Sequence, residues 1–319
     1  GRQLIDIAVE AGADAVKFQS FSPENLVTRD APKFWDIPGP GKTQYEEFDE
    51  AKPKFTLEEY RELISLAQKH KILFFSTACD ESWADFLDEL DVPMFKISSM
   101  DVTHLPLLQH VASKGKPVVL STGASYLKEI QQAVDVIQAE ENDQIVLLHC
   151  ISRYPTQPHQ VNLRMMDHLK NSFPNLIVGY SDHTRPDLPL IIPSVAVAAG
   201  AQVIEKHFTF DASRPGYDHE ISADEARLSE MVAQFREIEQ ALGGDQKQPL
   251  TAEEGARRFG RRSVVARMPI PKGKKIEAQM LAIKRPGTGI EPRLLNQLLG
   301  KVAQCDIRED QILTWEVLE

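Results

Sequence analysis

The chain has 319 residues, of which 42% are hydrophobic, and its 36 Lys and Arg against 47 Asp and Glu give a formal net charge of −11. This length suits about two domains, and this share of hydrophobic residues is enough for a large core, which excludes disordered and fibrous classes. The acidic balance disfavours nucleic acid as a partner. No apolar run approaches the roughly 18 residues of a membrane span, and the first residues lack a signal-peptide pattern.

The cysteines are few, odd in number and far apart, at Cys79, Cys150 and Cys305. Such a set does not make a disulfide framework and suits a reducing compartment. We therefore expect a cytoplasmic protein with no membrane and no nucleic acid among its partners.

The sequence starts inside a helical pattern. Residues 3–11 place apolar side chains at helical spacing, and no N-cap residue precedes them. We therefore expect that a segment upstream, including one strand, is missing from this sequence.

Short apolar runs then alternate with longer amphipathic runs. The amphipathic runs predict helices over 57–70, 83–90, 127–138, 165–173, 190–199 and 224–242, and residues 21–53 read as one long loop. The apolar runs predict seven strands at 15–19, 73–76, 94–97, 118–121, 145–149, 177–181 and 203–207. Alternating strands and helices predict a parallel sheet. With the missing strand counted first, the pattern predicts an α/β fold, a (β/α)₈ TIM barrel, over residues 1–245.

The composition changes after the barrel. Turn-forming residues from position 243 onward introduce a linker, which we assign to residues 246–261. Residues 262–319 contain short apolar runs at 263–266, 280–284 and 311–313, separated by Pro and Gly turns. They predict a small β-rich domain.

The carboxyl ends of the predicted strands carry many polar side chains. The active site of a TIM barrel lies at these ends, and unpaired buried charge is costly there. Lys17 and Lys96 supply two ammonium groups, and the hydroxyl donors are Thr77, Ser99, Ser121 and Ser181. This set favours an anionic ligand that carries both phosphate and carboxylate groups.

Two histidines, His183 and His207, lie at the ends of adjacent predicted strands. Neighbouring strands lie about 4.8 Å apart, so two imidazoles there could share one divalent ion. Open coordination positions would then remain for a substrate oxygen and water.

Several short motifs occur in a fixed order along the chain, and together they resemble the sialic acid synthase (N-acetylneuraminate synthase) family. In the barrel they are VKFQ at 16–19, FST at 75–77, FKISS at 95–99, LSTG at 120–123, LHC at 148–150, YP at 154–155, GYSDHT at 179–184 and EKHFT at 205–209. The tail, RSVVA at 262–266 and KRPGTGI at 284–290, is similar to the antifreeze-like (SAF) domain of that family. The resemblance covers nearly the whole chain.

The resemblance implies a transferase that condenses phosphoenolpyruvate with the open-chain aldehyde of an N-acylated hexosamine. The products would be a nine-carbon 2-keto sugar acid and phosphate. His183 and His207 would hold Mn²⁺ or Mg²⁺. The implied phosphoenolpyruvate-binding residues are Lys17, Thr77, Lys96, Ser99 and Ser181, and the implied sugar-facing residues are Gln19, Asp101, Tyr154 and Asp218.

The resemblance also implies a domain-swapped homodimer. In this family the antifreeze-like domain of one chain covers the barrel mouth of its partner. Arg285 matches an arginine that approaches the N-acyl group of the sugar.

The sequence departs from the family pattern at several places. The first strand, with an Ala-Glu-Ile-Gly run and an Asn-His pair, is absent, and we expect a chain without it to be inactive. Ser152 replaces a usual Asn, Asp101 replaces a common Glu, and the loop over residues 35–41 differs. The sugar therefore stays open among those of sialic, legionaminic and pseudaminic acid synthases and of spore-coat polysaccharide relatives.

Two other functions stay open at this stage. One is a different phosphoenolpyruvate–aldehyde condensing enzyme of the 3-deoxy-sugar-acid synthase type, which the C-terminal domain disfavours. The other is a catalytically inactive carbohydrate-binding or scaffold relative, which the retained lysines and histidines disfavour because charge in the mouth is costly.

Overall fold

Two units make up the chain in the computed structural model, residues 1–243 and residues 244–319. The structure describes residues 1–35, 39–52, 55–186, 190–214, 216 and 218–319. The predicted difference in the loop over 35–41 falls in part on residues 36–38, which lie outside the described residues. Within the described ranges, no helix is long and apolar enough to cross a membrane.

The first unit is built on a parallel sheet of seven strands that follow one another in chain order. They are β1 (Ala15–Ser20), β2 (Leu73–Ala78), β3 (Phe95–Ile97), β4 (Val118–Ser121), β5 (Ile145–Cys150), β6 (Ile177–Asp182) and β7 (Ile204–Lys206). Each strand overlaps the run that predicts it, so the parallel α/β architecture is confirmed. This sequential order is that of a TIM barrel, with β1 and β7 as the two end strands.

Helices connect the strands, as the alternation predicts. They are α1 (Arg2–Glu10), α2 (Pro23–Leu26), α3 (Gln44–Ala51), α4 (Leu57–His70), α5 (Glu81–Glu89), α6 (Leu105–Ala112), α7 (Leu127–Ala139), α8 (Met165–Ser172), α9 (Ile191–Ala198) and α10 (Glu225–Leu242). α1 starts without a side-chain cap, in agreement with the sequence pattern.

The long loop after β1 is not wholly irregular, which corrects the prediction. It contains α2 and α3, and α3 begins at a capping box in which Thr43 and Glu46 each bond the backbone amide of the other. A Thr followed three residues later by Glu is a sequence signal for a helix start, so α3 could have been predicted.

The core of the first unit lies between the sheet and its helices. Tyr60, Phe95, Leu107 and Leu147 are buried there almost completely. Gly179 in β6 has no room for a side chain, because a Cβ atom would collide with the carbonyl oxygen of Val203 just before β7. Close packing of β6 and β7 thus depends on this glycine.

The second unit has a two-stranded antiparallel sheet, β8 (Ser263–Ala266) and β9 (Leu281–Lys284). The apolar run at 311–313 pairs with β8 through an isolated bridge between Ile312 and Val265. The Ala266 amide donates to the Gln311 carbonyl oxygen and the Leu313 amide to the Val264 carbonyl oxygen, each at 3.0 Å.

Candidate active site

The ends of the first three strands bring two lysines and a threonine together. Lys17 Nζ on β1 donates a hydrogen bond to Thr77 Oγ1 on β2 at 3.3 Å. Thr77 lies opposite Lys96 in the β2–β3 register, and both side chains are buried. The Lys96 ammonium also donates to the carbonyl oxygen of Ile97 at 2.7 Å. Three of the predicted anion-binding residues therefore form one cluster.

Glu205 is a member of this cluster that the predicted site omitted. Its Oε2 lies 4.0 Å from Lys96 Nζ, and its Oε1 accepts a hydrogen bond from Ser181 Oγ at 3.0 Å. Burial alone would raise the pKa of Glu205, but the Lys96 and Lys17 ammonium groups, aided by His207 and Ser181, lower it to about 2. The approach of Lys96 on β3 to Glu205 on β7, two strands that are not neighbours in the sheet, shows that the sheet curls.

The same interactions act on the Lys96 ammonium. Burial lowers the pKa of Lys96, the Glu205 carboxylate opposes that shift, and the Lys17 ammonium adds to it. A second anion close to Lys96 would favour its charged form. The cluster is therefore suited to bind a ligand with negative charge.

Serine hydroxyls form a second part of the site around Gly123. The Gly123 amide donates to Ser99 Oγ at 2.9 Å. A Cβ atom at Gly123 would collide with Ser152 Oγ, so this close approach requires glycine. Within the part of the chain that the structure describes, the buried hydroxyls of Ser121 and Ser152 have no hydrogen-bond partner. Buried polar groups are nearly always paired, so these two hydroxyls indicate a ligand.

The two predicted metal ligands lie side by side. The ring centroids of His183 and His207 are 5.3 Å apart, with an interplanar angle of 71°. His183 Nδ1 lies 2.9 Å from the carbonyl oxygen of Ile151, which can only accept, so Nδ1 carries the proton. His207 Nδ1 lies 3.4 Å from Asp218 Oδ2. Both imidazoles thus have an acceptor at Nδ1, which leaves Nε2 of each neutral ring as the electron-pair donor.

The pKa values of the two imidazoles move in opposite directions. For His207, burial and the charge of His183 lower the pKa well below its usual value, which favours the neutral form. For His183, burial opposes a rise, but the Cys150 sulfur at 3.7 Å and the Ile151 carbonyl raise the pKa. A cation at His183 therefore has to compete with a proton.

The chemistry of this donor pair fits one divalent cation with open positions. Neutral imidazole nitrogen is a common ligand for such ions. No group of three or more His, Cys, Asp or Glu side chains with metal-binding geometry occurs among the described residues. His183 and His207 would therefore be the protein ligands, and substrate and water would complete the coordination.

The four predicted sugar-facing residues lie in different environments. The Tyr154 ring packs on His183 with centroids 4.2 Å apart, and Asp218 contacts His207 as described above. Asp101 accepts from Ser98 Oγ at 2.6 Å, and burial raises its pKa. Gln19 is exposed at the end of β1. The structure thus groups Tyr154 and Asp218 with the histidines.

Arg285 belongs to the second unit, where it is exposed just after β9. The turn that follows is hydrogen-bonded to Ser263, which is fully buried. Ser263 Oγ donates to the carbonyl oxygen of Pro286 at 2.7 Å and accepts from the amide of Gly289 at 2.9 Å. Arg285 therefore lies next to a turn that these two hydrogen bonds stabilise.

Comparison with known proteins agrees with this site. A curled parallel α/β sheet with polar strand ends places the first unit among TIM-barrel proteins. The chain belongs to the NeuB family, whose model matches residues 4–247, and a SAF domain model matches residues 261–319. The resemblance found in the sequence is confirmed.

Three similar proteins illustrate the family. The chain is 39% identical to N,N'-diacetyllegionaminic acid synthase of Legionella pneumophila, covering 100% of this chain and 90% of the relative. It is 34% identical to N-acetylneuraminate-9-phosphate synthase of Homo sapiens, covering 100% and 88%. The crystal structure of N-acetylneuraminic acid synthetase of Leptospira borgpetersenii in complex with citrate is 33% identical over 79% of this chain and 82% of that chain, with a TM-score of 0.70.

The half-buried thiol of Cys79 offers a test of the electrostatics beside the lysines. Burial, together with the Asp101 carboxylate, raises the pKa of Cys79 to about 12. Alkylation requires the thiolate, which at pH 8 would be only about one part in 10⁴ of such a group. We expect iodoacetamide at pH 8 to modify the exposed Cys305 and to leave Cys79 unmodified, as read by peptide mass spectrometry. The control is the chain unfolded in guanidinium, where Cys79 should react; equal rates at Cys79 and Cys305 in the folded protein would contradict the prediction.

Proposed function

We propose that this protein is a nonulosonic acid synthase. It condenses phosphoenolpyruvate with the open-chain aldehyde of an N-acylated hexosamine, giving a nine-carbon 2-keto sugar acid and phosphate. The observation that carries the proposal is the cluster of Lys17, Thr77 and Lys96 at the strand ends of a NeuB-family barrel, together with the unpaired buried hydroxyls of Ser121 and Ser152 in the same unit. The names of the relatives, which include legionaminic, pseudaminic and N-acetylneuraminate-9-phosphate synthases, support the class of product.

Phosphoenolpyruvate is proposed to bind at the lysines and hydroxyls. Its two anionic groups match the two ammonium groups of the lysines. The lysines lie on different strands, and the strand register fixes the distance between their backbones. Hydrogen bonds from Thr77, Ser99 and Ser181 would orient the ligand. The Glu205 carboxylate beside Lys96 would offset part of the positive charge of the cluster before phosphoenolpyruvate binds.

The aldehyde is proposed to bind beside the histidines. His183 and His207 would hold the divalent cation, and a cation there, when bound, polarises the carbonyl oxygen of the aldehyde. Tyr154 and Asp218 would contact the sugar, with Gln19 and Asp101 at the border of the site. The C3 carbon of phosphoenolpyruvate bonds to the aldehyde carbon, whose oxygen takes up a proton and becomes a hydroxyl; water adds at C2 and gives up its protons, and the C2–O bond to phosphate breaks to leave the 2-keto group. The residues thus serve mainly to align two substrates.

The experiment that tests the proposal is phosphate release by the full-length protein with phosphoenolpyruvate and Mn²⁺. The aldehyde panel contains N-acetylmannosamine, its 6-phosphate, a diacetamido hexose and a sugar phosphate without an N-acyl group. Release with an N-acyl sugar supports the proposal. Phosphate release only with the sugar phosphate that lacks an N-acyl group would instead indicate a 3-deoxy-sugar-acid synthase. Binding of phosphoenolpyruvate or a sugar without phosphate release would indicate an inactive relative.

Replacing either lysine should weaken phosphoenolpyruvate binding. Lys17→Met or Lys96→Met removes a charge-assisted contact, which we expect to cost about 1.5–3 kcal/mol of binding free energy, or roughly 10- to 150-fold in Kd. Calorimetric titration measures the change. Lys69→Met, at an exposed position on α4, is the matched control and should bind like the wild type. Unchanged affinity in both site variants would show that the lysines do not hold the anion.

Arg285 is proposed to reach the barrel mouth of a second subunit in a domain-swapped homodimer. If so, Arg285→Ala and Lys96→Ala are each inactive, but a mixture regains activity, because a mixed dimer contains one mouth with both side chains intact. Phosphate release measures the recovery after subunit exchange, which tagged pull-down verifies.

The controls for this mixing experiment lie in the same unit. Arg293→Ala removes an exposed guanidinium that pairs with Glu291, and it should retain activity on its own. Verified exchange of Arg285→Ala and Lys96→Ala subunits without any recovered phosphate release would exclude action across the dimer.

The predicted cytoplasmic location is compatible with both substrates and stays a prediction.

A further inference from the structure

A buried ion pair joins β6 and β7 directly beside the two histidines. Lys206 Nζ lies 2.7 Å from Asp182 Oδ2, and each side chain is only 1% exposed. Asp182 precedes His183, Lys206 precedes His207, and the two are partners in the β6–β7 register. Because successive side chains of a strand point to opposite faces, this pair faces away from the imidazoles. The proposed reaction uses neither residue.

The pair belongs to a wider hydrogen-bond network that surrounds His183. Asp182 Oδ1 accepts from Tyr180 Oη at 2.8 Å and from the Thr184 amide at 3.2 Å. Asp182 Oδ2 accepts from Thr184 Oγ1 at 3.0 Å. Lys206 Nζ also donates to the Thr184 carbonyl oxygen at 2.5 Å. The backbone on both sides of His183 is therefore tied to the residue that precedes His207.

The stability of the fold does not by itself account for two buried charges here. Desolvation costs several kcal/mol per ion, and a hydrophobic pair of similar volume is often as stable. What the ion pair adds is a defined geometry. β7 has only three residues and ends just before His207, so strand pairing alone holds His207 weakly. A bond from the Ala223 amide to the His207 carbonyl oxygen, at 2.8 Å, is a further restraint on that residue, beside its contact with Asp218.

We propose that Asp182 and Lys206 are positioning residues that keep the imidazoles of His183 and His207 at the spacing a shared divalent cation requires. They act through the two histidines and touch neither substrate nor cation. This role rests on the proposed function, because it requires that the histidines bind a cation.

The test compares Mn²⁺ binding by the full-length wild type with that by Asp182→Asn, Lys206→Met and the double variant. Free Mn²⁺ is measured by electron paramagnetic resonance, without substrates. Partners that orient metal ligands typically change metal affinity by about 10- to 100-fold, and we expect each single variant to raise the Kd by that factor. The double variant should be no weaker than the weaker single variant, since residues that act as one unit are not additive.

A matched control separates positioning from loss of stability. Leu108→Ala removes a fully buried side chain of α6 and should lower the thermal midpoint while leaving the Mn²⁺ Kd unchanged. If the charge variants do not fold, Tyr180→Phe removes only one donor to Asp182, and we expect it to raise the Kd by about threefold. Wild-type affinity in every folded network variant would overturn the positioning role.

The outcomes also distinguish this proposal from the proposed function. A wild type that binds no Mn²⁺ overturns the positioning role and the metal site together, whatever the phosphate-release experiment shows. A wild type that binds Mn²⁺ and releases phosphate, while the network variants keep their affinity, overturns the positioning role alone.

Discussion

The buried ammonium of Lys96 is the feature on which the rest of the site depends. An isolated charge at 3% exposure would be costly, and the barrel offsets that cost with a carboxylate brought from the far end of the sheet, Glu205 on β7. This pairing requires that β1, β3 and β7 converge, so the curl of the sheet and the charge of the site are one constraint. The pair at 4.0 Å is looser than a direct hydrogen bond, which leaves Lys96 able to bind an incoming anion as well.

The two faces of β6 and β7 have different tasks. Ser181, His183, Glu205 and His207 face the mouth, where polar groups are left with bonding capacity for ligands. Asp182 and Lys206 face the other way and bond each other. Polar residues that follow one another in sequence are thus separated into a reactive set and a structural set by the period of two of a strand. Gly179 also has a structural role, because without a side chain it lets β6 and β7 pack closely just before Asp182 and Lys206.

Much of this arrangement follows from sequence because it depends on local rules. The alternation of strands and helices and the topology of a parallel sheet predict where the strands end and in which order they lie. They also place four side chains at those ends: Lys17, Lys96, His183 and His207. Glu205 was not predicted as a site residue, because its role depends on the approach of Lys96 from another strand, which the sequence does not show. The orphaned hydroxyl of Ser152 could not be predicted, because it depends on contact with Gly123 from another loop.

The origin of each side chain also bears on substrate choice. Most groups of the proposed anion site, including Lys17, Thr77 and Lys96, come from strands, where the register fixes the backbone positions. Asp218, proposed to face the sugar, instead comes from a loop and has a left-handed backbone with φ of 51°, an uncommon conformation for a residue other than glycine. The loop is braced by a contact of 2.9 Å between Thr209 Oγ1 and His219 Nδ1. Loops can change length and shape without disturbing the sheet, so the proposed site for phosphoenolpyruvate can stay constant while loop residues select the proposed partner sugar.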